Sequence, residues 1–180
     1  MSHIIFITGM AGAGKSTIGR QVARHFPKCL FIQVDELREM MVTGYARPEG
    51  GIFLQAAIQQ FQMARTTASY MARLYASHGV DVVIDDVCVP SNFVEQYAAL
   101  FSDPDVYRVL LYPKASVVID RIRRRGGPLE HIEYVPAIYA FLDSMAKDDW
   151  IVLDSSDWTV AQTVSELLAS IASARGDARS

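Results

Sequence analysis

The run Gly9-Met10-Ala11-Gly12-Ala13-Gly14-Lys15-Ser16 brings together the residue types that a polyphosphate requires. It matches the pattern G-x-x-x-x-G-K-[ST], and it lies between a short apolar run and a stretch of helical period. A triphosphate needs many hydrogen-bond donors in a small volume. Glycines let the backbone N–H groups of Gly9, Ala11, Gly12, Ala13 and Gly14 curl around an anion at the positive end of a helix. Lys15 then reaches the β- and γ-phosphates, and the Ser16 hydroxyl is placed to ligate Mg²⁺. Thr17 is placed either to touch the α-phosphate or to serve only the helix start.

Acidic residues follow two further apolar runs. Asp35 in Val34-Asp35-Glu36-Leu37-Arg38 is a candidate base for an attacking hydroxyl, a role compatible with capping a helix. Asp85 and Asp86 in Val83-Ile84-Asp85-Asp86-Val87 resemble a strand ending in a metal-holding carboxylate. Adjacent residues on a strand face opposite ways, so one of the pair serves the metal, and the spacing leaves open which. The metal role is assigned to Asp85 and a substrate-facing role to Asp86. Arg38 either binds an anionic group of the acceptor or pairs with Glu36 or Glu39. Arg121, Arg123, Arg124 and Arg125 end in Gly126-Gly127-Pro128, as a lid would. Guanidinium groups suit the charge that spreads over a transferring phosphoryl group, and Arg121 and Arg125, spaced i and i+4, share a face.

Positioning these residues takes alternating strands and helices. Runs near Ile4–Thr8, Leu30–Val34, Val82–Asp85, Tyr107–Tyr112 and Trp150–Asp154 read as strands apolar on both sides, and so as a sheet covered on both faces. Helical periods fall near Lys15–Phe26, Asp35–Val42, Ile52–His78, Ser91–Phe101, Ala115–Arg125, Tyr134–Ala146 and Val160–Ala174. In the long third helix Leu54, Ile58, Phe61, Ala64, Ala68, Met71 and Tyr75 form the expected core stripe. Gln55, Gln59, Gln62, Thr66 and Arg73 form a polar stripe that is either solvated or a wall of the acceptor cleft. The expectation is one α/β domain over residues 1–175, with a short lid near 121–132 and a frayed tail at 176–180.

Hydrophobic residues make up 51% of the 180-residue chain and charged ones 21%, with a net charge of -3. That balance excludes a disordered chain and a broadly basic nucleic-acid-coating protein, so any anion site is local. Cys29 and Cys88 each sit in an apolar run and are expected to be buried free thiols of a reducing, cytoplasmic compartment. No stretch reaches the length of a membrane span.

Together these residues resemble the small P-loop kinases, in particular the chloramphenicol phosphotransferase-like enzymes and the kinase domain of phage-type polynucleotide kinase. The resemblance rests on Gly9 to Ser16, Val34-Asp35 with Leu37, Val83 to Val87, Arg121 with Arg125-Gly126, and Val152-Leu153-Asp154-Ser155-Ser156. It implies a P-loop NTPase-type three-layer sandwich, with a five-stranded, mainly parallel sheet in the order 2-3-1-4-5. It also implies Asp35 as catalytic base, Arg125 as stabiliser of the transferring phosphate, and a nucleotide base near Ser155 to Thr159. In the polynucleotide kinase pattern Arg38 stands where an arginine contacts the acceptor phosphate. Asp85-Asp86-Val87 is closer to the chloramphenicol enzymes; Val87 and Cys88 depart from the polynucleotide kinase pattern. The expected activity is Mg²⁺-dependent transfer of the γ-phosphoryl group of ATP to a hydroxyl of a small molecule, in a pocket between Asp35 and the segment from Gly44 to Gln62. Met40, Met41, Tyr45 and Phe53 would line it. Polynucleotide 5′-hydroxyl transfer, nucleotide phosphorylation drawing on Arg38, Arg47, Arg65 and Arg73, and a non-catalytic ATP-binding module are the alternatives. The absence of an Asn-Lys-x-Asp run argues against a regulatory GTPase.

Overall fold

The computed structural model describes residues 2–47, 55–87, 93–103, 105–126, 132–144 and 147–177. Its strands are β1 (Ile4–Gly9), β2 (Cys29–Gln33), β3 (Asp81–Asp85), β4 (Val106–Leu111) and β5 (Ile151–Leu153). They form one sheet in the order β2-β3-β1-β4-β5. Every pairing is parallel, so the sheet is wholly parallel where a mainly parallel one was expected. The described helices are α1 (Lys15–Ala23), α2 (Val34–Glu39), α3 (Gln55–Ser77), α4 (Phe93–Gln96), α5 (Ala98–Phe101), α6 (Ala115–Arg124), α7 (Val135–Ser144) and α8 (Val160–Asp177).

The pleat distributes each strand between two cores. Ile4 and Phe6 of β1, with Val82 and Ile84 of β3, pack against Ala64, Ala68 and Ala72 of α3. Ile5 and Ile7, with Val83, Val109 and Leu111, pack against Ile18 and Val22 of α1 and Val164, Leu167 and Ile171 of α8. Both faces are covered, which is why these strands carry continuous apolar runs instead of an alternating pattern. Parallel crossovers place the carboxyl ends of β1, β2 and β3 at one edge of the sheet, where a ligand crevice forms.

Several expectations are corrected. The helix expected over Ser91–Phe101 is interrupted at Tyr97, which lies outside helical geometry between α4 and α5. Its ring packs on Phe6 with centroids 4.6 Å apart, and its hydroxyl donates to Asp86 Oδ2 at 2.9 Å. Tyr75, expected in the core, is exposed, and Met40 at 70% exposure points into solvent instead of lining a pocket. Cys29 is a free thiol but only half-buried. Desolvation, helped by the Asp81 charge, pushes its pKa up to about 11. Among the described residues no helix is long and apolar enough to cross a membrane. Cys88, Glu49, Phe53, Leu54, residues 127–131 of the expected lid and the end of the tail lie outside the described residues.

Candidate active site

The phosphate loop leaves β1 at Gly9 and enters α1 at Lys15. Gly9 has φ +149°, and a Cβ there would sit 2.5 Å from the carbonyl oxygen of Leu111. Gly12 has φ +87°, and a Cβ would press on the Ile122 side chain at 3.0 Å. Both positions therefore need glycine for space as well as for backbone conformation. The loop closes on itself through Ala13 N–H to the Met10 carbonyl at 3.0 Å, and Lys15 Nζ lies 3.5 Å from that same oxygen.

The pleat also separates the two acids that end β3. Asp85 shares the α1 side with Val83, next to Lys15 and Ser16. Burial raises its pKa, while the Lys15 charge and a hydrogen bond from the Ser16 hydroxyl pull it down. Asp86 shares the α3 side with Ile84. Its Oδ2 accepts from Arg65 Nε at 2.7 Å and from the Tyr97 hydroxyl at 2.9 Å, and its Oδ1 accepts from Val87 N–H at 2.7 Å. Burial raises the Asp86 pKa too, against the lowering pull of Arg65 and Tyr97. The substrate-facing role expected for Asp86 does not fit this geometry, because its side chain is 0% exposed and its oxygens are spent on protein donors.

Asp35 is the second residue of α2, whose N-cap is Gln33, so it does not cap the helix. Its side chain is 59% exposed, and its charge acts on both Asp85 and Asp86. Arg38, one turn on, is only 4% exposed and pairs with Asp35, not with Glu36 or Glu39, through NH1 to Oδ1 at 3.5 Å. Its NH2 donates to the Ala46 carbonyl at 3.1 Å, and its Cζ lies 3.5 Å from the centroid of the Phe61 ring. Gln60 fastens the same loop, donating to the Gly44 carbonyl at 2.8 Å and accepting from Ala46 N–H at 2.9 Å.

On the other side of the phosphate loop, Arg121 joins that loop to the segment after β5. Its NH1 donates to the Ala13 carbonyl at 3.2 Å and its NH2 to the Ser155 carbonyl at 3.3 Å. Arg121, Arg125, Gly14, Thr17, Ser155 and Trp158 line a cavity of about 140 Å³. Arg123, Arg124 and Arg125 are all exposed, and of the four arginines it is Arg121 and Arg125, spaced i and i+4, that line the cavity.

Three contributors were not singled out from sequence. Gln60, Arg65 and Tyr97 occupy inward positions, whereas the sequence marks Arg65 only as one of several arginines on the acceptor side. The available signal was a polar residue inside the apolar stripe: Gln60 and Arg65 interleave with Ala57, Phe61, Ala64 and Ala68 on the buried face of α3. The stripe Gln55, Gln59, Gln62, Thr66 and Arg73 is the solvated face. Trp158 stands out only as an aromatic residue in a polar turn.

A family model described as an AAA domain matches residues 4–139. A gluconokinase of Arabidopsis thaliana is 27% identical over 158 residues, covering 81% of this chain and 79% of the plant protein. The fold is shared with shikimate kinase from Acinetobacter baumannii, at TM-score 0.71 and 18% identity over 96% of this chain and 94% of that one. It is shared too with a gluconokinase from Sinorhizobium meliloti 1021, at TM-score 0.61 and 20% identity over 94% and 91% of the two chains. The parallel sheet, the loop from Gly9 to Ser16 and the match over residues 4–139 agree: the chain belongs to the AAA domain family and has the fold of the small P-loop kinases.

Proposed function

We propose that this protein transfers the γ-phosphoryl group of ATP to a hydroxyl of a small-molecule acceptor. The observation that carries the proposal is the convergence of an exposed Asp35 with Asp85 and Lys15 at the edge where the phosphate loop opens. In this reading the loop amides and Lys15 hold the β- and γ-phosphates, and Arg121 and Arg125 face the nucleotide from the opposite wall. Asp35 accepts the proton of the acceptor hydroxyl as that oxygen bonds to the γ-phosphorus and the bond to the β-phosphate oxygen breaks, releasing ADP. Arg38 orients the carboxylate.

The residues present fit a magnesium ion. Asp85 is a buried carboxylate whose desolvation outweighs the help it receives from Lys15 and Ser16, and a hard divalent cation suits such an oxygen site. Ser16 and Asp85 would hold it, and when bound it would neutralise charge on the β- and γ-phosphate oxygens.

A small alcohol is favoured over a polynucleotide because Arg38 is 4% exposed with its terminal nitrogens engaged by Asp35 and Ala46, and because the chain carries a net charge of -3. The gluconokinase and shikimate kinase relatives support a small acceptor of the same broad kind. The test is transfer of label from γ-labelled ATP across gluconate, shikimate, neutral sugars, nucleosides, aminoglycosides, phenicols, thymidylate and 5′-hydroxyl oligonucleotides. Mg²⁺-dependent labelling of a small alcohol, lost in Asp35→Asn, is expected. ATP binding with no transfer to any acceptor, or labelling of oligonucleotides alone with steep salt dependence, refutes the proposal.

A further inference from the structure

Arg38 and Arg65 lie on different helices, yet both guanidinium groups address one aromatic ring. The Arg38 Cζ is 3.5 Å from the Phe61 centroid and the Arg65 Cζ is 5.2 Å from it. Phe61 and Arg65 stand four residues apart on α3, so they share a helix face. At the inner end Arg65 is paired with Asp86, the residue that follows β3, and its NH1 donates to Gln96 Oε1. At the outer end Arg38 is paired with Asp35. The contacts form one continuous series, Asp86–Arg65–Phe61–Arg38–Asp35, running from the end of the sheet to the exposed carboxylate.

Stability does not explain this arrangement. Burying two arginines is costly, and well-packed apolar residues in such places are often as stable or more so. A buried, planar and doubly held guanidinium supplies direction instead. Asp35 needs direction, because it projects from a helix of six residues with most of its carboxylate in solvent. In Arg38 both terminal nitrogens are engaged, by Asp35 and by the Ala46 carbonyl, and the ring of Phe61 fixes the plane between them.

We propose that Phe61 and Arg65 are positioning residues for the transfer step: their stack fixes the plane of Arg38, and through Arg38 the Asp35 carboxylate, relative to the end of β3. This deepens the reading of Asp35 as proton acceptor and rests on it. Neither residue touches the reacting atoms.

The experiment uses Phe61→Leu, which keeps apolar volume but removes the ring face, Phe61→Tyr, which restores the face, and Arg65→Lys, which keeps a charge for Asp86 but removes the planar group. Arginine Nε–Hε resonances are recorded on ¹⁵N-labelled protein without substrate, and Mg-ATP hydrolysis with water as acceptor is followed by phosphate release. In Phe61→Leu and Arg65→Lys the Arg38 resonance is expected to lose or change its ring-current shift and to exchange with water at least ~10-fold faster. Turnover is expected to fall roughly 10- to 100-fold, the scale of a displacement of about 1 Å in a catalytic group, with KM for ATP within about twofold. Phe61→Tyr restores both readouts. An Arg38 resonance unchanged in both Phe61→Leu and Arg65→Lys overturns the proposal, as does a parallel loss of turnover and ATP affinity. Hydrolysis by Asp35→Asn at the wild-type rate overturns the reading of Asp35 and the catalytic purpose of the stack with it. That failure is distinguishable, because the Arg38 resonance reports on the stack with no substrate present.

Discussion

Replacing Arg65 by methionine tests the buried ion pair directly, since methionine fills most of the same volume and removes the charge. In the native protein Arg65 Nε lies 2.7 Å from Asp86 Oδ2, with side chains 2% and 0% exposed. Removing one member of such a pair leaves the other charge buried with, among the described residues, the Tyr97 hydroxyl and Val87 N–H as its remaining donors, and costs about 3–5 kcal/mol. For a chain of this length each kcal/mol moves Tm by about 2–4 °C, so Arg65→Met should unfold roughly 6–20 °C lower. Arg65→Met with Asp86→Asn removes both charges, keeps one amide oxygen for Val87 N–H and turns the amide NH2 toward the Tyr97 hydroxyl, which can accept from it; it should recover most of the loss. The pH dependence follows from Asp86. Burial already holds its pKa above the ordinary 3.8, and loss of Arg65 raises it further. The Asp86 contribution is then most favourable below the unfolded value, where both states are protonated, and it declines as pH rises through the folded value. The gap between Arg65→Met and wild type should therefore narrow as pH falls toward about 4. Urea unfolding at neutral and acid pH, with thermal melts alongside, reads all three quantities. A loss under about 1 kcal/mol, or a double variant no better than the single one, refutes the view that an uncompensated Asp86 carries the cost.

Four other variants have expected outcomes. Lys15→Ala should fold normally and lose Mg²⁺-dependent ATP affinity in calorimetric titration, because no other side chain of the loop carries a positive charge to the phosphates. Asp35→Asn should keep ATP affinity while lowering transfer to the acceptor by roughly 10²- to 10⁴-fold, and Arg125→Ala should lower kcat more than KM for ATP, both read by initial-rate kinetics. Asp85→Asn should abolish the Mg²⁺ dependence of ATP binding yet raise Tm at neutral pH. Burial holds the Asp85 pKa above 3.8, so its contribution to stability is greatest at acid pH and is lost as pH rises through the folded value; the advantage of the variant should grow over that interval in melts across pH.

The core pattern was legible from sequence where a residue's role depends on its neighbours in the chain. β1, the phosphate loop and α1 follow one another without interruption, so residue type and spacing placed Lys15 and Ser16 at a helix start beside a strand end. The alternation of apolar runs with helical periods foretold a covered parallel sheet, and the family resemblance supplied its strand order. Reading failed where a distant partner decided the outcome. Tyr97 interrupts a helical period because its ring is held by Phe6, far away in the chain, and its hydroxyl by Asp86, eleven residues before it and beyond the reach of a helix turn. The apolarity of Met40 and Met41 predicts pocket walls, but the short α2 ends at Glu39 and leaves them exposed.

By itself the sequence determined the chemistry available: a loop able to bind polyphosphate, carboxylates after two strands and an arginine-rich helix end. These follow from local backbone conformation and hydrogen-bonding capacity, which are properties of contiguous residues. Only the tertiary structure decided between neighbours of the same type. Asp85 and Asp86 have identical side chains on adjacent positions, and the pleat turned one toward Ser16 and Lys15 and the other toward Arg65 and Tyr97. The same holds for Arg38, whose possible partners Glu36 and Glu39 lost to Asp35, Ala46 and Phe61. Such choices rest on which elements meet across the sheet edge, and contacts between α2, α3 and the end of β3 exist only once the chain has folded around them.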